Sequence, residues 1–220
     1  MYFPCTRIKF CGITNLIDAR AAVEYGADAL GFIRVEGSPR YVSDRQLDEL
    51  AETYPFVGKV IVVRRPEDAS EIDPKGFRYV QHYEESADDE KEGKQGWGYE
   101  ASRYIRAFRI REQSDIEEME RYPLQAGMRA YLLDTYHKDQ LGGSGETFDW
   151  ELAVEAKRRF PDKRIILAGG LTPQNVGEAI RRVRPYAVDV SSGVEAEPGR
   201  KDHAKLRAFV AAVRAADTQP

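Results

Sequence analysis

Ile165-Ile166-Leu167-Ala168-Gly169-Gly170-Leu171-Thr172-Pro173-Gln174-Asn175 is an apolar run that breaks into glycines, and Ala187-Val188-Asp189-Val190-Ser191-Ser192-Gly193 repeats the arrangement further along the chain. Each reads as a short buried strand that ends in a loop of small residues, with room for a ligand beside the backbone. Gly169 and Gly170 have no side chain to block an anion, while Ser191, Ser192 and Gly193 offer backbone N–H groups and two hydroxyls. Either loop alone is compatible with an ordinary turn. Two in succession read as one phosphate cradle, and a (β/α)8 barrel supplies such a pair after its seventh and eighth strands. The expectation is an α/β chain forming a single (β/α)8 TIM barrel domain over residues 1–220, with the phosphate site at those loops.

Working back to the N-terminus, Arg7 to Cys11 is strand one, its alternation setting Lys9 and Cys11 on one face and Ile8 and Phe10 on the other. Thr14-Asn15 can cap a helix carrying Leu16, Ala19, Ala22 and Val23, and Gly26 stops it before a second strand over 27–33. Ser43 opens a helix through Leu47 and Leu50; 58–63 is strand three, Pro66 begins a weak helix, and 78–81 is strand four. The stretch 84–101 is rich in Asp, Glu, Lys and Gly with almost no apolar stripe, so a short or poorly packed helix is expected there. Strand five covers 104–110, Ser114 caps a helix with Ile116 and Met119 inward, and Ala130 begins strand six. After the Gly-rich loop 141–147, Phe148-Asp149-Trp150 starts a helix reaching Phe160. A helix from Pro173 and another after Asp202 flank the last strand. Strands alternating with helices eight times make a parallel barrel. A doubly wound open sheet is the alternative, since strand order cannot be read from spacing.

A length of 220 residues suits one smaller barrel. With a net charge of −4 and no broad basic field, nucleic acid is excluded as a partner. No run approaches the roughly 20 apolar residues of a membrane span, and the first residues lack the core of a signal peptide. A cytoplasmic protein is expected. Cys5 and Cys11 lie too far apart along an extended segment to be joined, so free thiols are expected. His82, His137 and His203 have no metal-ligand spacing, and no metal is expected. The apolar residues all have places in the expected core, so a monomer is the default and a homodimer the alternative.

The expected strand ends bring a thiol at Cys11, a guanidinium at Arg40 and a carboxylate at Asp134, with a second acid at Asp189. That set suits acid–base chemistry on a phosphorylated anion. Singly, each has a plain alternative: Cys11 as a small core residue, Arg40 as a surface arginine, Asp134 as a turn former, Asp189 as a structural partner of Lys9.

Taken together, Lys9-Phe10-Cys11-Gly12-Ile13-Thr14, Ser38-Pro39-Arg40-Tyr41-Val42, Leu132-Leu133-Asp134-Thr135, Gly142-Gly143-Ser144-Gly145, Phe148-Asp149-Trp150, 167–171 and 189–194 resemble the phosphoribosylanthranilate isomerase family of tryptophan biosynthesis. The match runs in register from strand one to the last helix. The resemblance implies a cofactor-free Amadori rearrangement of N-(5-phosphoribosyl)anthranilate to 1-(2-carboxyphenylamino)-1-deoxyribulose 5-phosphate. It implies Asp134 as the acid and Cys11 as the base, Arg40 against the anthranilate carboxylate, and Asp189 in contact with the substrate. Gly169, Gly170, Ser191, Ser192 and Gly193 would hold the phosphate. Lys9 is expected to serve both Cys11 and Asp189. The chain departs from the family where strand three ends in Val62-Val63-Arg64-Arg65-Pro66, and where Gln81-His82-Tyr83-Glu84 stands for the usual Gln-Leu-His-Gly. Other readings are a related ribulose-phosphate barrel, which would want a catalytic lysine and glutamates at its strand ends, and a barrel that only binds.

Overall fold

Alternation in Arg7–Cys11, which forms β1, divides its side chains between two environments: Ile8 and Phe10 join the large apolar layer under the helices, whereas Lys9 and Cys11 face the barrel interior. The remaining barrel strands repeat this division. They are β2 (Ala29–Ile33), β3 (Gly58–Val63), β4 (Tyr79–His82), β5 (Tyr104–Ile110), β6 (Ala130–Thr135), β7 (Arg164–Leu167) and β8 (Ala187–Val190). In the computed structural model, which describes residues 5–51, 54–69, 77–83, 104–121, 128–135 and 149–218, they close in sequence order into a parallel barrel. Closure of β8 on β1 sets Lys9 opposite Asp189 in register, which rules out the open sheet.

The helices follow from local signals. Asn15 accepts the Asp18 N–H and starts α1 (Leu16–Tyr25), and Gly26, at φ 111°, ends it. Ser43 and Gln46 form a reciprocal cap on α2 (Asp44–Ala51), the Ser43 N–H donating to Gln46 Oε1 at 2.9 Å. Among the described residues, a single 3-10 turn, Pro66–Ala69, follows β3. Then come α3 (Gln113–Arg121), α4 (Trp150–Arg159), α5 (Val176–Val183) and α6 (His203–Asp217), with Asp149 and Asp202 capping α4 and α6.

Two helix starts differ from expectation. Ser114 lies inside α3, and it is the Asp115 carboxylate that accepts the Arg111 and Glu112 N–H groups. The helix expected from Pro173 begins at Val176, because Asn175 accepts the Thr172 N–H and donates to Gly170 O, holding 172–175 as a turn. The readings for 84–101 and 141–147 lie outside the described residues. Not every apolar side chain is housed: Phe56, between α2 and β3, is fully exposed, and Ile17 is 73% exposed.

Two short strands, β9 (Glu195–Glu197) and β10 (Arg200–Lys201), pair antiparallel between β8 and α6. They place Lys201 at the top of the barrel with its side chain buried.

Candidate active site

The C-terminal ends of β1, β6 and β8 deliver Cys11, Asp134 and Asp189 to one cleft of about 710 Å³, its open mouth included. Arg40 reaches the same cleft from the loop after β2, and Gly169, Gly170, Ser191, Ser192 and Gly193 line its far side. All nine residues singled out in the sequence therefore meet in one place. His137 lies outside the described residues, and no cluster of metal-ligand type occurs among the described ones.

The two small-residue loops need their glycines. At Gly169 (φ 83°) a Cβ would overlap the Thr135 backbone and hydroxyl. A Cβ on Gly193 would drive into the carbonyl of Leu171, so this glycine lets the loop after β8 lie against the loop after β7. Ser191 adds a buried hydroxyl with no partner among the described residues. Ser191 itself is among the residues that line the cleft.

Lys9 is buried in the barrel, donating to Asp189 Oδ1 at 2.9 Å and to Gln81 Oε1 at 3.0 Å. Burial opposes its charge, but Asp189 and the Cys11 thiol outweigh this and hold it above an ordinary lysine. The double role expected of Lys9 thus has a geometric basis. Burial also pushes the Cys11 thiol up, against the lowering influence of Lys9. The Asp134 carboxyl is pushed up to about 6 by burial and by the charge of Asp189. A carboxylic acid available near neutrality is what an acid catalyst needs.

Three further residues take part that single-sequence reasoning passed over. Glu195 on β9 holds Arg40, accepting from Nε at 2.9 Å and Nη2 at 2.6 Å. Lys201 on β10 donates to Glu195 Oε1 at 2.8 Å, to the Cys11 carbonyl at 2.6 Å and to the Ser191 carbonyl at 3.2 Å. Burial disfavours the Glu195 charge, yet its two cations keep its carboxyl below the usual range. Two cations around one carboxylate leave a net positive corner beside the thiol. Neither residue stood out in sequence, since charge partners across a fold have no spacing.

Tyr83 is the third. Gln81 and Tyr83 face inward, which sets Tyr83 where the pattern of the resembled family, Gln-Leu-His-Gly, has its histidine, while His82 is buried in the outer layer, edge-on to Tyr104 at 6.1 Å. The Tyr83 hydroxyl lies 3.2 Å from Asp134 Oδ2 and 3.3 Å from Gln81 Nε2. The signal was the departure in 81–84, visible in sequence but without a direction.

The family model described as N-(5'phosphoribosyl)anthranilate (PRA) isomerase matches residues 8–212. An N-(5'-phosphoribosyl)anthranilate isomerase of Geobacter sp. (strain M21) is 45% identical over 211 residues, covering 94% of this chain and 97% of the relative. A crystal structure of monomers generated from the dimeric phosphoribosylanthranilate isomerase of Thermotoga maritima aligns with TM-score 0.77 at 36% identity, covering 96% of this chain and 99% of that one. Another isomerase structure, in complex with reduced 1-(o-carboxyphenylamino)-1-deoxyribulose 5-phosphate, aligns over the same shares with TM-score 0.76 and 36% identity.

Proposed function

The chain belongs to the N-(5'-phosphoribosyl)anthranilate isomerase family and is an isomerase of tryptophan biosynthesis; from that premise we propose that Asp134 is its general acid and Cys11 its general base. The reaction is the Amadori rearrangement of N-(5-phosphoribosyl)anthranilate to 1-(2-carboxyphenylamino)-1-deoxyribulose 5-phosphate. The observation that carries the assignment is the convergence of Asp134, poised to hold a proton, and Cys11, beside a buried ammonium, on one cleft.

Asp134 gives its proton to the ribose ring oxygen as the bond from that oxygen to C1 breaks and the amine nitrogen forms a Schiff base with C1. The Cys11 thiolate then takes the proton from C2, the electron pair moves toward the iminium, and the enol formed becomes the ketose. In that last tautomerisation the enol O–H proton leaves and C1 gains one, so C2 is oxidised and C1 reduced by the same electron pair and no external oxidant or reductant is needed. Asp189 faces the reacting region while holding Lys9 charged. Arg40, steadied by Glu195, faces the position for the anthranilate carboxylate. Gly169, Gly170, Ser191, Ser192 and Gly193 hold the phosphate, supported by the unpartnered Ser191 hydroxyl and the bare backbone of both loops.

The assignment is tested by loss of anthranilate-type fluorescence on adding enzyme to freshly made phosphoribosylanthranilate. Cys11→Ser and Asp134→Asn should each lower kcat by at least about a hundredfold. Activity near wild type in either variant removes that residue from the role.

No helix among the described residues is long and apolar enough to cross a membrane. A phosphorylated substrate that does not pass membranes unaided supports a cytoplasmic workplace. The solved relatives include a dimeric enzyme and monomers made from it. Here the fully exposed Phe56 borders a hollow at the N-terminal end of the barrel lined by Arg7, Arg78, Arg129 and Arg164, which supports a homodimer over the monomer expected from composition.

A further inference from the structure

Lys9, Gln81, Tyr83 and Asp134 form a hydrogen-bonded chain across the barrel interior, and its direction follows from what each group can donate. The Lys9 ammonium has no lone pair, so at 3.0 Å it donates to the Gln81 carbonyl oxygen. That turns the Gln81 NH2 toward Tyr83, where it donates to the hydroxyl oxygen at 3.3 Å. With that oxygen receiving from Gln81, the single hydroxyl proton of Tyr83 is left for Asp134 Oδ2 at 3.2 Å. The other oxygen, Asp134 Oδ1, accepts the Thr135 N–H at 2.9 Å. Both oxygens are thus held, and the carboxyl plane is fixed at the mouth of the cleft.

We propose that Tyr83 is a positioning residue for the acid: its hydroxyl proton, committed to Asp134 by the polarity running from Lys9 through Gln81, aims the carboxyl into the cleft and stabilises the carboxylate left when the proton has gone to substrate. The inference rests on the reading of Asp134 as the acid. Charge-assisted hydrogen bonds of this kind are stronger than neutral ones, and the benefit grows as Asp134 becomes an anion during the reaction. The other groups facing this pair are Asp189 on β8, Cys11 and Lys9 on β1, and Arg109 on β5, whose guanidinium lies 5.7 Å from the centre of the Tyr83 ring. Asp189 opposes the Asp134 charge, whereas Tyr83, Arg109 and the Thr135 N–H favour it. Tyr83 and the Thr135 N–H are the two that do so by hydrogen bonds.

Tyr83→Phe keeps the ring and removes only the hydroxyl. The expected result is a fall in kcat of roughly ten- to a hundredfold. Affinity for the reduced product analogue should stay within about twofold, because the hydroxyl acts on the proton and not on the ligand. Titration of the Asp134 carboxyl, followed by ¹³C NMR and assigned with Asp134→Asn, should move upward from its midpoint of about 6. Gln81→Met, which frees the hydroxyl to turn, should move kcat and the midpoint in the same directions by less. An unmoved midpoint with unchanged kcat overturns the proposal. So does loss of analogue binding in step with kcat, which would make Tyr83 part of the pocket wall. An active Asp134→Asn would instead sink the acid assignment, while the titration would still report whether Tyr83 bonds Asp134.

Discussion

Asp134 and Cys11 must hold opposite protonation states in order to act, yet burial raises both. Between about 6, where Asp134 titrates, and the raised value of Cys11, the pair shares one proton. The productive form, with the proton on Asp134 and a thiolate on Cys11, is the minor tautomer of that same charge state. kcat/KM measured at saturating ionisation of the substrate phosphate should therefore stay level between about 6 and the raised value of Cys11, and fall below about 6, where the pair takes up a second proton and the one-proton state is depleted. A profile that falls from pH 6 to 8 would contradict this sharing. The same carboxyl makes a stability prediction. Raised in the folded state from an ordinary 3.8 to about 6, it favours the fold fully below its unfolded value, and that contribution is lost as pH rises through about 6. Asp134→Asn should accordingly gain on the wild type by roughly 2 kcal/mol between pH 4 and 7 in denaturant titrations, even as it loses activity. The elements of this account lay partly in the sequence: Cys11, Lys9 and Asp134 stood out by strand position. Tyr83 did not, because which inward side chain meets Asp134 depends on the spatial neighbourhood of β4 and β6, which are not adjacent in the barrel.

The β9–β10 hairpin is small, but it ties the active-site corner together. Lys201 donates to carbonyls at the ends of β1 and β8 as well as to Glu195. The Lys201 N–H also donates to Asp18 on α1 at 2.9 Å. Lys201→Met leaves Glu195 with one cation and two strand-end carbonyls without their donor. A loss of about 3 kcal/mol is expected in urea unfolding, with a rise in KM as Arg40 loses its fixed partner. A wild-type KM in a destabilised variant would confine Lys201 to a structural role. Gly193→Ala tests the other element contact. Because a Cβ there meets the Leu171 carbonyl, the loops after β7 and β8 must part, and inhibition by inorganic phosphate should weaken at least about tenfold if they form one cradle. Loop composition announced these contacts, but the clip by β9 and β10 had no sequence signal, since three-residue strands carry no usable periodicity.

At the scale of the molecule, the barrel separates its chemical face from its N-terminal face, where Phe56 stands fully exposed beside four arginines. Light scattering should give a mass near twice the 25.0 kDa of the chain, with Phe56→Glu returning it to the single-chain value while kcat is retained. A monomeric wild type would reject pairing through this face. The sequence alone determined the alternating strand–helix order and favoured the barrel, because alternation and helical spacing act over a few residues and the elements were complete enough to count, while closure against an open sheet was decided by the pairing of β8 with β1. It also determined the chemical groups at the strand ends and the two glycine-bearing loops. Only the tertiary structure decided that Glu195 and Lys201 brace Arg40, that Tyr83 takes the inward place beside Asp134, and that Phe56 is left outside. Each of these depends on which strand ends become neighbours when β8 closes on β1, and such proximity leaves no local pattern along the chain.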